Sequence, residues 1–371
     1  MNITFLLGNG FDIQCGLKTS YFNFYEFILN DRYGINIEDE YSGENFKKID
    51  NIIYGQIYST KETPETWADL ELQLGEFTKI VSSNTDKEIK NDIAEKFLDD
   101  YETLNEDLNS YLKIVQIQDD TEIDTDYSEV LRTTTTFFYD GLLSNDYLEV
   151  HNKLVNNRAE TFNYNFISFN YTNTLTKIFN NSENKTFSNG FNNSSMIQNI
   201  YSNVIYVHGK VDFFVTLGVN DESQIADNFF NTEDITDMIK PNSLMTNREN
   251  MKSSTEELIR NSEVIVIFGM SLGKTDRFWW EKIAKNLLSN KNNLLILHIY
   301  ERNNIDIVVP RKVRKRREKY EQQFLSHLDS LDLGIEEINQ LKTQIYVITN
   351  STHILNVNLA EYLPELKKEV E

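Results

Sequence analysis

The chain has 371 residues, a formal charge of −22 at pH 7, 40% hydrophobic residues and 12% aromatic ones. That length exceeds one small core and predicts one large α/β domain with an insertion or two domains, with the apolar content of a packed protein rather than a disordered one. The charge opposes loose binding to a polyanion, since phosphate backbones are captured by clustered Lys and Arg, and the single cysteine, Cys15, excludes a disulfide framework and a multi-cysteine zinc module.

Ile3–Leu7 is a short apolar run stopped by Gly8-Asn9-Gly10, which predicts a buried strand entering a turn. The start has no basic leader, and no apolar run approaches the roughly 20 residues of a membrane span, so a cytoplasmic protein without a membrane partner is expected. Gly16–Ser20 forms a second turn, from which Thr19 or Ser20 could cap a helix beginning at Tyr21. Residues 44–118 read as helical throughout, with Pro64 where a first turn tolerates it and Phe97, Tyr101, Leu104, Leu108 and Leu112 at helical spacing. An acidic linker at 119–126 and another helical stretch to about residue 155 follow.

Beyond it, apolar runs alternate with helical ones. The strand-like runs are Phe166–Phe169, Val204–Val207, Val264–Phe268, Leu294–Ile299 and Ile345–Ile348; helices are expected at Thr172–Phe179, Thr255–Asn261, Thr275–Leu288, Pro310–Leu328 and Leu355–Lys368. The Asn-rich stretch 180–203 reads as an exposed loop. Strands apolar throughout and separated by helices predict a parallel sheet covered on both faces. The expected fold is therefore a doubly wound, mostly parallel Rossmann-like sheet. Residues 1–30 and 160–371 would form its nucleotide-binding core and residues 31–159 a helical insertion.

Ligands of such sheets lie beyond the carboxyl ends of the strands. Those ends carry Gly8-Asn9-Gly10-Phe11-Asp12, Asn170-Tyr171-Thr172-Asn173, His208-Gly209-Lys210 and Gly269-Met270-Ser271-Leu272-Gly273-Lys274-Thr275-Asp276. Gly8 and Gly10 would let backbone amides approach a phosphate, although no glycine falls three residues after Gly10 to complete a dinucleotide fingerprint, and tight strand-to-helix turns use the same pair structurally. Asp12 could accept from a ribose hydroxyl or cap its turn. His208 could serve as base or donor near neutral pH, or be a buried histidine bonded to a carbonyl. No histidine pair has metal-ligand spacing, so no metal is expected. Asp69 and Glu71, two apart on a presumed helix, read as solvated acids around a core Trp67 and Leu70, with one of them able to face the cleft. The basic run Arg311–Arg317 reads as a solvated helix face answering the acidic helices.

In this order, the motifs Gly8–Asp12, Gly16–Tyr21 with Phe24 and Tyr25, Trp67–Glu71, Phe169–Leu175, His208–Lys210 and Gly269–Asp276 resemble those of the bacterial abortive-infection AbiH family, proteins of phage defence. More remotely, the set is similar to sirtuin-like domains that bind or hydrolyse NAD in antiviral systems. That likeness implies a sirtuin-like fold, Asn170 and His208 at the catalytic positions, and a nucleotide held by Gly8, Asn9, Gly10, Asp12, Thr172, Asn173, Gly269, Ser271 and Asp276. Asn170 would orient a water or ribose hydroxyl for His208 to activate. Thr172 departs from the sirtuin-like pattern, where an acid is common, and the four-cysteine zinc module of deacetylases is absent.

Three functions compete. An NAD-directed glycohydrolase, or an NAD-binding effector that halts growth, requires Asn170 and His208 to converge on one pocket. A nuclease-type toxin acting on RNA or DNA would place Asp69, Glu71, His208 and the 311–317 run on one surface. A non-catalytic sensor would bind a nucleotide or a phage component and signal by assembly of copies of the chain.

Overall fold

The computed structural model describes residues 1–37, 39, 41–60, 70–86, 88–118, 126–156, 161–183, 185–188, 197–201, 203–211, 215, 217–219, 222–226, 228–239, 251–301, 309–351 and 353–357. Its centre is strand β1 (Asn2–Leu7), hydrogen-bonded in parallel to β2 (Thr161–Ser168) on one side and to β6 (Val264–Phe268) on the other. Beyond β2 lie β4 (Ile197–Ile200) and β3 (Thr186–Ser188); beyond β6 lie β7 (Leu294–Ile299) and β8 (Ile345–Thr349), giving the order β3-β4-β2-β1-β6-β7-β8. Only β3 runs antiparallel among these pairs.

The chain steps outward from β1 on one side and then returns to build the other side from β6. Strand order thus reverses beside β1, and there neighbouring crossovers leave the sheet on opposite faces and open a crevice. A two-residue strand, β5 (Ile205–Tyr206), pairs with the carboxyl end of β2 where β4 pairs with its start. This carries the chain alongside β2 and delivers His208 to the same sheet edge as Asn170.

Both sheet faces are buried. Ile3, Phe5, Leu7, Val264, Val266 and Phe268 point into one apolar cluster, and Leu6, Ile265 and Ile267 into another. The second cluster is covered by a helix within residues 251–260, by α12 (Arg277–Ser289), α13 (Pro310–Leu325) and α14 (Ile335–Gln344). The first is covered by helices that lie between β1 and β2 in sequence: α1 (Asn9–Gln14), α2 (Tyr21–Tyr33), α4 (Ile52–Thr60), α5 (Leu70–Asn84), α6 (Lys90–Gln118), α7 (Tyr127–Phe137) and α8 (Ser144–Asn156), while the short α3 (Gly43–Phe46) packs against α4 and buries no residue. Phe97, Leu104, Leu108 and Leu112 of α6 are buried at the anticipated spacing.

The remaining helices, α9 (Thr174–Asn180), α10 (Thr232–Met238) and α11 for the 251–260 segment, complete the set described here. Three expectations change. The 180–203 stretch contributes β3 and β4 rather than only a loop, because Thr186–Ser188 and Ile197–Ile200 extend the ladder of β2. The 44–118 region is not helical throughout: residues 47–51, 85–86 and 88–89 lie outside helices, and Ser42 caps α3. The start of the helix expected at Leu355–Lys368 is not helical over 355–357, where Leu355 has φ 45°, and residues 358–368 lie outside the described residues, as do Pro64 and most of the acidic linker.

His298 of β7 is buried, and its Nε2–H donates to the Phe138 carbonyl at 2.9 Å. Burial pushes this imidazole down from 6.5 to about 4. Protonation therefore favours the unfolded chain: the stabilisation is complete above pH 6.5 and is lost as pH falls from there towards 4. Denaturant titrations between pH 7 and 4.5 should show a fall in which this residue contributes roughly 1.4 kcal/mol per pH unit, and His298→Gln should remove that part. An unchanged slope in the variant would refute the assignment.

Candidate functional site

A cleft of about 490 Å³ opens over the carboxyl ends of β1, β2, β5 and β6. Of the residues expected there, Gly8, Asn9, Asp12, Asn170, Thr172, His208, Gly269, Ser271 and Asp276 line it. Four sequence-distant turns meet because parallel strands end at one edge.

The glycines of the first turn serve the fold more directly than a ligand. The amide of Gly8 donates to the Phe268 carbonyl at 2.9 Å, and that of Gly10 to Gly269 at 2.8 Å. A Cβ on Gly10 would lie 2.6 Å from the Cα of Gly269. The two turns are in backbone contact, so the expectation that the Gly8 and Gly10 amides cradle a phosphate is revised: both are engaged, and Gly10 does not line the cleft. Asn9 is engaged too. Its Nδ2 donates to the Thr19 carbonyl at 3.0 Å and its Oδ1 accepts from the Thr19 hydroxyl at 2.5 Å, clamping the second turn to the first. Asn173 also lies off the cleft, its amide donating to Gln116 Oε1 of α6 at 2.7 Å.

Asp12 is buried, and its Oδ2 accepts from the Thr172 hydroxyl at 2.7 Å, which in turn accepts from Thr174 at 3.0 Å. Position 172 lacks an acid of its own, and the neighbouring turn supplies one against it.

Asn170 is 4% exposed, and among the described residues neither its Oδ1 nor its Nδ2 has a hydrogen-bond partner. A buried amide left in that state costs about 1–3 kcal/mol, so its presence in the cleft wall is a sign of a ligand. Beside it, the His208 ring stands edge-on to Phe169, with centroids 5.3 Å apart, and 6.3 Å from the Tyr171 ring. His208 Nε2 is 4.0 Å from Asp276 Oδ1, outside hydrogen-bond distance. Asp276 does not cap α12 with its side chain. The loop bearing Ser271 is held rigidly: Gln323 and His327 both donate to the Leu272 carbonyl, and Trp280 donates to that of Gly273.

The helices between β1 and β2 form the opposite wall and supply residues that sequence spacing did not place there. Leu108 and Leu112 of α6 line the cleft. Tyr111 of α6 donates to the Lys18 carbonyl at 2.6 Å and fixes the turn before α2, whose cap Ser20 accepts from the Asn23 amide as anticipated. Glu71 of α5 is also in the wall and buried rather than solvated, and the Tyr21 hydroxyl donates to it at 3.2 Å. Burial, followed by the Glu71 charge, raises the Tyr21 and Tyr171 phenols well above their ordinary range, so both remain neutral donors. Aromatic Tyr21 directly after the Thr-Ser cap was the available signal. Asp69 and Trp67 lie outside the described residues.

The features required of a nuclease divide between two clefts. Arg316 and Arg317 line a separate one with Thr349 and His353, and both are paired, Arg316 with Glu301 at 2.6 Å and Arg317 with Asp146 at 2.5 Å. Among the described residues of the main cleft none is Lys or Arg. A polyanionic substrate meets no cationic side chain among those described residues.

The sequence profile of the family described as bacteriophage abortive infection AbiH matches residues 4–298, a span that includes every described residue lining this cleft. No curated protein sequence matches the chain. No helix among the described residues is long and apolar enough to cross a membrane.

Proposed function

Since the chain belongs to the bacteriophage abortive infection AbiH family, we propose that it is an abortive-infection effector that binds NAD in this cleft and hydrolyses the nicotinamide–ribose bond. The observation that carries the reading is the buried Asn170 amide, with no partner at either end among the described residues, beside His208 at the switch point of a nucleotide-binding type of sheet.

In this reaction the bond from the pyridinium nitrogen to ribose C1′ breaks and its electron pair neutralises the ring. The positive charge passes to the ribosyl group, water adds at C1′, and one proton is released. Such a path needs positioned polar groups more than a strong nucleophile. Asn170 would orient the attacking water or a ribose hydroxyl, and His208 would accept the proton. Asp12 with Thr172 offers an acceptor for a ribose hydroxyl, and Ser271 a further contact. With no cationic side chain in the described lining, the pyrophosphate would rely on the helix ends that face the cleft. These are the N-terminus of α2, represented by Ser20–Asn23, and that of α12.

Purified protein incubated with NAD should release nicotinamide, and His208→Ala should lower the rate by about 100-fold or more, the scale of a general base. NAD binding without release would favour a nucleotide sensor. No binding would end the NAD assignment.

A further inference from the structure

The backbone that carries Asn170 is fixed. Its own amide N–H donates to the Ser168 hydroxyl at 3.2 Å, the Phe169 amide to the Leu7 carbonyl at 2.8 Å, and the Val207 amide to the Ser168 carbonyl at 2.9 Å. The carboxyl end of β2 is thereby tied to the chain on either side of it. The side chain at this fixed point is 4% exposed and lines the cleft, and among the described residues neither its Oδ1 nor its Nδ2 has a hydrogen-bond partner. A primary amide presents an acceptor and a donor side by side in one plane. A water or ribose hydroxyl held for attack meets one of these places and leaves others unmet, each at a cost in a buried wall. The ligand group that suits the wall therefore offers a donor and an acceptor together. Within a pyridine dinucleotide the phosphates only accept, and each hydroxyl is a single atom. Two edges fit: the ring carboxamide, and the amino edge of adenine, which asparagine pairs in the same bidentate way.

The surroundings choose between them. His208 is the proton acceptor of the proposed reaction, and its ring lies against those of Phe169 and Tyr171, the neighbours of Asn170 in sequence, with centroids 5.3 and 6.3 Å away. Asn170 therefore belongs to the end of the cleft where the bond breaks, and the base at that end is the pyridinium. We propose that Asn170 also reads this base, its Oδ1 and Nδ2 pairing edge to edge with the ring carboxamide, so that the site requires the amide and not merely a pyridinium ring. This rests on the NAD reading and names the part of the ligand that sets its specificity. Oδ1 has two lone pairs, so it accepts from the carboxamide N–H and still holds a water or ribose hydroxyl. A site built to hydrogen-bond a substrate N–H rejects an analogue that lacks it, because its own buried group is then left unpaired.

The test compares NAD with its acetylpyridine analogue, in which a methyl group replaces the carboxamide nitrogen. Shape and charge are kept and one donor is lost, so the comparison is independent of the charges in the cleft wall. Binding is followed by calorimetry on the full chain carrying His208→Ala, so that neither dinucleotide is consumed, and the wild-type kcat/KM ratio for the two gives a measure free of that substitution. NAD should be preferred by about tenfold or more. With Asn170→Leu, similar in size and without a polar group, the preference should shrink to within about threefold. Equal binding of the two dinucleotides by a chain that retains Asn170 overturns the inference without recourse to a variant at that position. A preference that survives Asn170→Leu overturns the role of that residue. The hypoxanthine analogue of NAD, altered at the adenine amino edge alone, should bind Asn170 and Asn170→Leu chains with the same penalty; a penalty that Asn170→Leu abolishes would assign the amide to adenine and overturn the carboxamide pairing. If NAD itself fails to bind, the NAD reading falls and this inference with it; if NAD is cleaved but not distinguished from the acetyl analogue, only this inference falls.

Discussion

Asn170→Ala should cut nicotinamide release from NAD by about 100-fold or more while leaving the folded state no less stable than before. In most buried positions a polar side chain is removed at a cost, because its partners are left unsatisfied. Here, among the described residues, the amide has no partner to orphan. The turn itself is held through main-chain donors: the Asn170 amide N–H donates to the Ser168 hydroxyl oxygen at 3.2 Å, and the Phe169 amide N–H donates to the Leu7 carbonyl at 2.8 Å. Relief of an unsatisfied buried group is worth about 1–3 kcal/mol, partly offset by lost packing. The variant's denaturation midpoint should therefore equal or exceed that of the wild-type chain, the trade expected where stability is given up for function. A destabilisation of more than about 2 kcal/mol would show that the side chain holds the fold instead. Normal turnover would show that it does not hold the reacting groups.

The second large effect concerns stability. Gly269 has φ +70°, and a Cβ there would lie 2.5 Å from the Phe11 backbone nitrogen and 3.0 Å from the Gly10 Cα. Gly269→Ala thus combines a left-handed backbone, costing an alanine about 1–2 kcal/mol, with overpacking of two backbones, which costs about 1–3 kcal/mol. Neither neighbour is a flexible side-chain end. The turns after β1 and β6 would have to separate at the floor of the cleft, so ligand binding should weaken along with the fold. Gly16→Ala separates the two causes, since Gly16 has φ +88° and nothing within 4 Å of a built Cβ. Chemical denaturation should rank Gly269→Ala as the more damaging by roughly 1–3 kcal/mol; equal losses would mean that contact between the turns contributes little.

Much of the sheet was legible in local pattern. β1, β6, β7 and β8 are short apolar runs between turn residues, and all four lie where those runs predict. Less legible were β3 and β4, because Asn-rich segments at a sheet edge bury little and carry no sustained apolar signal. The turn glycines were visible as residues but not in their use. A Gly-x-Gly turn after a strand suits either a phosphate or another backbone, and what decided for the backbone was the position of Gly269, 259 residues beyond Gly10 in the chain and in contact with it. Glu71 shows the same limit from the side of charge. Its spacing from Leu70 and Asp69 describes only which face of α5 it occupies, and that face is solvated or buried according to what packs on it.

The amino-acid order by itself therefore determined most of the elements of this protein and their polar ends, the edge strands β3 and β4 excepted, since periodicity, capping and turn chemistry act over a few residues. Which of those ends meet, which glycines support one another, and that α5 and α6 close the far wall over Asn170 and His208 were decided only by the tertiary structure. Those contacts join residues tens to hundreds of positions apart, and they depend on strand order and helix packing rather than on any local preference.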